Sequence, residues 1–279
     1  MVGLFCCVFE SECLLGIVLM RSSRIGLSLV ELLTVMALIG GLVAIALPAV
    51  QQARGQAERV QCINNLRQVG IALQNYHSSL DEFPIGCVEW RSFDPDSRQL
   101  AWSAYLLPFL EQSNLLSAID FELPFDHPAN SVAATTTIEV FRCPTGLRGQ
   151  FALDGNAVSD YGGIFGERIS GPNSPAKGVM LIDIALREAD VLDGLSNTLI
   201  VAEDTKSDDG SWINGRNIFD QAFAINAGPD FENDIRSEHS GGANGVRCDG
   251  SVTFLSQNMD IQLLAAICTR AGRELILQK

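Results

Sequence analysis

Three histidines, eight cysteines and a surplus of carboxylates are the side chains of this 279-residue chain with chemistry to offer. A hydrolase or metalloenzyme needs a nucleophile beside a base, ligands at metal spacing, or a phosphate-binding loop. His77, His127 and His239 never fall in an HExxH pattern, no CxxC pair is present for zinc, and no G-x-S-x-G elbow occurs. Gly166 and Gly171 have the spacing of a phosphate loop, but Pro172 stands where its lysine would be. The pair most like a catalytic one is His239 with Asp249, since an imidazole oriented by a carboxylate can act as a general base. Asp249 already has a sufficient role as the first residue of an Asp249-Gly250 turn, and His239 reads as a brace at the hairpin base. The chain is therefore read as non-enzymatic, with no catalytic residue.

The acidic loops offer hard oxygen donors of the kind calcium takes. The candidates are Asp230, Glu232 and Asp234, or Asp204, Asp208 and Asp209, although neither group has the glycine of an EF-hand loop at its sixth position. The competing reading is a solvated acidic loop, and no other cofactor or metal is expected. Five cysteines follow residue 26: Cys62, Cys87, Cys143, Cys248 and Cys268. Disulfides are permitted in an oxidising compartment, yet two bridges among five thiols allow fifteen pairings, so none is assigned. Small buried hydrophobes are the alternative.

Charge narrows the partners. The chain carries −14, and from Asp81 onward 14 basic residues face 29 acidic ones. Such a field repels a phosphate backbone, so nucleic acid is not an expected partner.

The elements that must position these residues begin with an uncharged run, residues 32–50, of nineteen residues in which Thr34 is the one polar side chain. Crossing a bilayer takes about 20 apolar residues at ~1.5 Å rise each, so this run reads as a transmembrane helix. Gly40, Gly41 and Pro48 weaken a helix in water but are tolerated in membranes. A secretory signal peptide is the competing reading, because Ala44-Ile45-Ala46 is a small-x-small site. Glu31 stands at the edge of the run, where a carboxylate is costly unless paired. The apolar pattern continues through Val60, Ile63, Leu66, Val69, Leu73 and Tyr76, which extends the helix to a stop before Phe83-Pro84.

The run Arg24-Ile25-Gly26-Leu27-Ser28-Leu29-Val30-Glu31 closely resembles the processing site of type IV prepilins and type II secretion pseudopilins. The resemblance implies cleavage after Gly26 by a prepilin peptidase/N-methyltransferase, a methylated N-terminus at Leu27, and Glu31 as the fifth mature residue. Leu27 stands where the family usually has Phe or Met. A new amine on one subunit would then neutralise Glu31 of its neighbour. Residues 20–26 would make a complete short basic leader, which places the start of translation at Met20, with a longer leader as the alternative. The resemblance further implies a single-pass inner-membrane protein with its head outside the cytoplasm, whose partners are the membrane and other pilin-like subunits met through the N-terminal helix.

The expected fold is α+β, with a long N-terminal helix continuing into a periplasmic head that holds a small antiparallel sheet. The expected divisions are a leader at 1–26, a transmembrane helix at 27–50, its extension at 51–80 and the head at 81–279. Within the head, residues 102–119 have a helical pattern broken at Pro108, and residues 135–141, 178–182, 198–202 and 221–225 read as strands. Residues 246–254 read as a hairpin with a two-residue Asp-Gly turn that sets Cys248 opposite Ser251, Arg247 opposite Val252 and Phe254 over Gly245. Residues 260–271 read as a final amphipathic helix closed by Gly272.

Several head segments resemble a large bacterial family of pilin-leader proteins of unassigned function with a C-terminal H-x9-DG signature, here His239, Asp249 and Gly250. Other matching pieces are Cys62-Ile63-Asn64-Asn65-Leu66, Asn75-Tyr76-His77, Cys143-Pro144 and Thr269-Arg270-Ala271-Gly272. This resemblance implies an architecture and a processing route, and a pseudopilin-like role in a type II secretion or type IV pilus-like assembly. The other reading is a membrane-anchored binding module that does not polymerise.

Overall fold

A single helix, α1 (Leu29–Leu80), opens the computed structural model, which describes residues 28–91, 96–147, 149–208, 210–229 and 232–272. The chain divides into two compact units, Met1–Val50 and Gln51–Lys279.

In the first unit every described residue is exposed, including Leu38 and Ile45 at 69% and 75%. This stretch of α1 is long and apolar enough to cross a membrane by length and composition. Its first turn is tied locally: the Glu31 carboxylate accepts the Ser28 N–H at 2.9 Å, and the Thr34 hydroxyl donates to the Glu31 carbonyl. A carboxylate placed there also meets the positive end of the helix dipole.

In the second unit α1 turns amphipathic. Cys62, Leu66, Val69, Leu73 and Tyr76 recur every three or four residues and are buried, while Val60 remains 55% exposed, so the buried stripe starts one half-turn later than its apolar pattern. The helix stops at Leu80, and Asp81 follows in the left-handed region with φ 61°.

The head fold is α+β. A two-stranded antiparallel ribbon pairs β1 (Cys87–Val88) with β2 (Leu100–Ala101). The main sheet has the order β5-β3-β4-β6-β7, from β3 (Tyr161–Glu167), β4 (Leu199–Glu203), β5 (Ile218–Gln221), β6 (Gly242–Arg247) and β7 (Val252–Ser256). It is mixed, because β5 runs parallel to β3 while the other pairs are antiparallel. Both faces are covered. One apolar cluster joins α1 to Ile200, Val201 and Val246, and another joins Leu199, Ala202, Ala243 and Leu255 to α5 (Ile261–Ile267). A strand buried on both sides needs a continuous apolar run, which is why residues 199–202 do not alternate.

Short helices fill the 102–134 region: α2 (Trp102–Leu106), a 3-10 turn at Leu107–Leu110, α3 (Ser113–Leu116) and α4 (Ser131–Ala134). The expected break comes at the Pro108 turn, which closes on Glu111 at φ 59°.

Three expected strands are corrected. Residues 135–141 are the C-cap of α4 at Thr135, a short irregular link and the 3-10 turn Glu139–Phe141, because the Thr135 and Thr136 hydroxyls bond back to the Ser131 and Val132 carbonyls at 2.8 and 2.6 Å. Residues 178–182 make only an isolated bridge, Cys87 to Ile182, since Val179 and Met180 both donate to the one Ile164 carbonyl. The strand placed at 221–225 ends at Gln221 instead. Its carboxamide donates to the Phe223 carbonyl at 2.7 Å and accepts from the Ile235 N–H at 2.9 Å, which takes the chain off the sheet.

The β6–β7 hairpin exists, but its register is shifted by one. Val246 faces Val252 and Asn244 faces Phe254, joined by a three-residue loop in which the Gly250 N–H donates to the Arg247 carbonyl and Gly250 sits at φ 81°. A type I turn followed by a left-handed glycine adds one residue to the loop, and one residue moves each facing pair. The last helix is also shorter than its pattern. The Asp260 side chain caps α5 by accepting from the Gln262 and Leu263 N–H groups, and at the other end the Arg270 guanidinium donates to the Ala176 and Gly178 carbonyls at 2.7 Å each.

Candidate functional site

One turn of α1 carries Cys62 and Asn65 on the same face. The Asn65 carboxamide donates to the carbonyls of Arg142 and Glu139 at 2.7 and 3.3 Å, which brings the following residue, Cys143, against the helix. Cys62 and Cys143 form a disulfide with Cα atoms 5.2 Å apart, across 81 residues of sequence. The Cys143 N–H donates to the buried Asp160 carboxylate at 2.8 Å, and that carboxylate pairs with Arg142 at 3.1 Å.

The sheet supplies the other wall. Glu203 closes β4 and is fully buried; its two oxygens accept from the Asn244 N–H at 2.7 Å and the Asn244 carboxamide at 2.9 Å. His239, just before β6 and also buried, places Nε2 3.5 Å from Glu203 Oε1 and 3.5 Å from Cys143 Sγ. Beside them Arg236 and Asp204 make a buried bidentate pair at 3.0 and 3.3 Å. Buried carboxylates are costly unless bonded on several sides, and each of these three has such partners. The result is a polar centre in the head where a helix, a loop and two strand ends meet.

His239 and Asp249 do not form a dyad. They flank β6 on opposite ends, and six strand residues at ~3.4 Å each separate them by about 20 Å. Asp249 holds its own turn by accepting from the Ser251 N–H and hydroxyl at 2.9 and 2.6 Å. Gly250 presses on α1: a Cβ added at Gly70 would lie 2.5 Å from the Gly250 carbonyl oxygen, and the Gln74 carboxamide donates to the Cys248 carbonyl at 2.7 Å. The signature residues thus work as two clasps, His239 at the cystine and Asp249-Gly250 at the next turns of the same helix.

The acidic candidates fall apart from one another. Glu232 pairs with Arg168 at 2.5 Å, and Asp234 turns inward to accept from the Ala222 and Phe223 N–H groups. Burial pushes the Asp234 carboxyl up to about 6. Asp204 faces Arg236, Asp208 is exposed, and Asp230 and Asp209 lie outside the described residues. Gly26, Leu27 and the leader lie outside them as well. Burial pushes the Cys87 thiol up to about 12 and raises those of Cys248 and Cys268, which makes them poor nucleophiles.

The sequence reading did not find Glu203, Asp160, Arg236 or Asn244. The signal for the first was an apolar strand ending abruptly in two carboxylates, Glu203-Asp204, where a surface loop would show no such run before it.

The family described as a protein of unknown function (DUF1559) matches residues 51–220 and 208–262. The chain belongs to this family. The matched range holds the whole polar centre, with Cys62, Cys143, Glu203 and His239, and begins where the second unit does. No curated protein and no solved structure matches the chain.

Proposed function

We propose that this member of the family is a pseudopilin-like structural subunit of a type II secretion or type IV pilus-like assembly. In this reading it is held in the inner membrane by α1 with its head outside the cytoplasm, and it has no enzymatic role. The observation that carries the proposal is the exposed stretch of α1, residues 29–50, in which Glu31 is the single ionisable side chain. Such a surface is stable in lipid or against like helices, and one carboxylate near its start is what a neighbour's terminal amine would neutralise. Within one chain Glu31 already accepts the Ser28 N–H, so the carboxylate is held at the start of the helix before any partner arrives. A prepilin peptidase that cleaves after Gly26 and methylates Leu27 would supply that amine.

Mass spectrometry of the membrane-extracted protein tests the reading: the expected N-terminal peptide starts at methylated Leu27. A mature chain starting elsewhere overturns it. Glu31→Leu should keep membrane insertion and lose subunit cross-linking, because the neighbour's amine would be left as an unpaired buried charge. Cross-linking unchanged in Glu31→Leu would favour the anchored module that does not polymerise.

A further inference from the structure

The cystine is surrounded by donors it does not need. The ligand atoms of Cys62, Cys143, Glu203 and His239 all lie within 4.8 Å of one another, and all four residues are buried. A disulfide braced by a histidine would need neither a fully buried carboxylate nor its convergence on the same point. We propose that, when the chain is reduced, these four residues bind one zinc-class divalent ion through two thiolates, one imidazole nitrogen and one carboxylate oxygen.

The donor set and its spread fit that ion. Zinc takes four ligands at about 2.0 to 2.3 Å in a tetrahedron, which sets neighbouring donors about 3 to 4 Å apart. The present spread needs only small movement once the sulfurs separate. Two thiolates select against calcium and magnesium, and four protein ligands leave no open position, so the site is structural. Its surroundings already hold the ligands in place. Asn244 fixes the Glu203 carboxylate through two hydrogen bonds, and the Thr145 hydroxyl lies 3.0 Å from Cys143 Sγ, placed to donate to a thiolate. The four ligands come from α1, the loop after the 3-10 turn at Glu139–Phe141, the end of β4 and the approach to β6, so the ion would join the two elements that the disulfide joins and tie both to the sheet.

The two states exclude each other. A dithiol reductant donates two electrons and two protons to the Cys62–Cys143 bond, giving two thiols and an oxidised dithiol. The ion then displaces both thiol protons. The proposal gives His239 of the signature a chemical role, and it stands independently of the assembly reading.

The test uses the full chain in detergent with Cys6, Cys7 and Cys13 changed to serine, so that those thiols cannot contribute. One preparation is expressed and purified under reducing conditions with zinc, the other under oxidising conditions. Elemental analysis should find one zinc per reduced chain and none in the oxidised one. In the reduced chain, zinc should protect Cys62 and Cys143 from alkylation read by peptide mass spectrometry, and a chelator should expose both. His239→Ala and Glu203→Gln should lower zinc occupancy at least tenfold, while Cys268→Ser should not change it. A reduced chain that is folded by circular dichroism but holds no zinc overturns the proposal. So does zinc retained when both Cys62 and Cys143 are alanine.

Discussion

The two parts of α1 share one backbone geometry and differ in everything that side chains decide. Apart from Glu31 and Thr34, residues 29–50 are apolar on all sides, and they are wholly exposed, whereas from Cys62 to Tyr76 one apolar stripe is buried and Ile71, off that stripe, stays 61% exposed. The first part is long and apolar enough to cross a membrane. The second is built for a single face of protein. A helix is a local solution to backbone hydrogen bonding, so it continues across the change without a break, while the medium each part requires is set by the distribution of apolar residues around the axis.

The sharpest way to break this contrast is to cut the covalent tie of the second part. Changing both Cys62 and Cys143 to serine should lower head stability under oxidising conditions by roughly 4.5 kcal/mol, the loop-closure value for a bridge across 81 residues. Denaturant unfolding of wild type and variant measures it, and a midpoint that does not move would mean that the disulfide constrains little. Next comes a paired substitution on one helix. Leu66→Ala removes a fully buried side chain and should cost about 2 to 5 kcal/mol, whereas Leu42→Ala, at a position 70% exposed, should leave head unfolding unchanged. Equal effects at the two positions would erase the distinction between the parts.

A third test concerns charge, which the first part nearly lacks and the head buries. The Asp234 carboxyl, pushed up to about 6 by burial, prefers its protonated form in the folded head and an ionised form in the unfolded chain above about pH 4. Between these values the folded state binds the extra proton. Stability should therefore fall as pH rises from about 4 to 6 and then level off, a change on the order of 2 to 3 kcal/mol from this group. Asp234→Asn retains an oxygen to accept the Ala222 and Phe223 N–H groups, should be the more stable protein at pH 7, and should flatten that part of the profile. A profile that keeps its full slope in Asp234→Asn would place the titration on another group.

The smallest effect is expected where helix propensity and packing oppose each other. Gly70→Ala should gain about 1 kcal/mol of propensity on an exposed helix. Here the new Cβ meets the Gly250 carbonyl at 2.5 Å, so the net change should be a loss of roughly 1 kcal/mol. Gly40→Ala, with nothing within 4 Å, should show no such loss. Circular dichroism melts of both variants compare them directly.

What could be read in the amino-acid order was what short-range chemistry governs. Nineteen uncharged residues specify a helix in an apolar medium whatever follows, and Leu-Ile-Val-Ala before Glu203 specifies a strand buried on both faces. The Asp249-Gly250 turn was legible for the same reason, since Gly250 adopts a left-handed φ at no steric cost. Its register was not, because whether the loop takes two or three residues depends on the seat that Gly70 and Gln74 offer it on α1. Nor was the pairing of Cys62 with Cys143, or the gathering of Glu203 and His239 around them. Each of these four residues belongs to a different element, separated by tens of residues, and no local rule relates their positions. Only the docking of α1 on the mixed sheet brings them together, because the carboxylates buried at this centre, Asp160, Glu203 and Asp204, find their donors on other segments of the chain there.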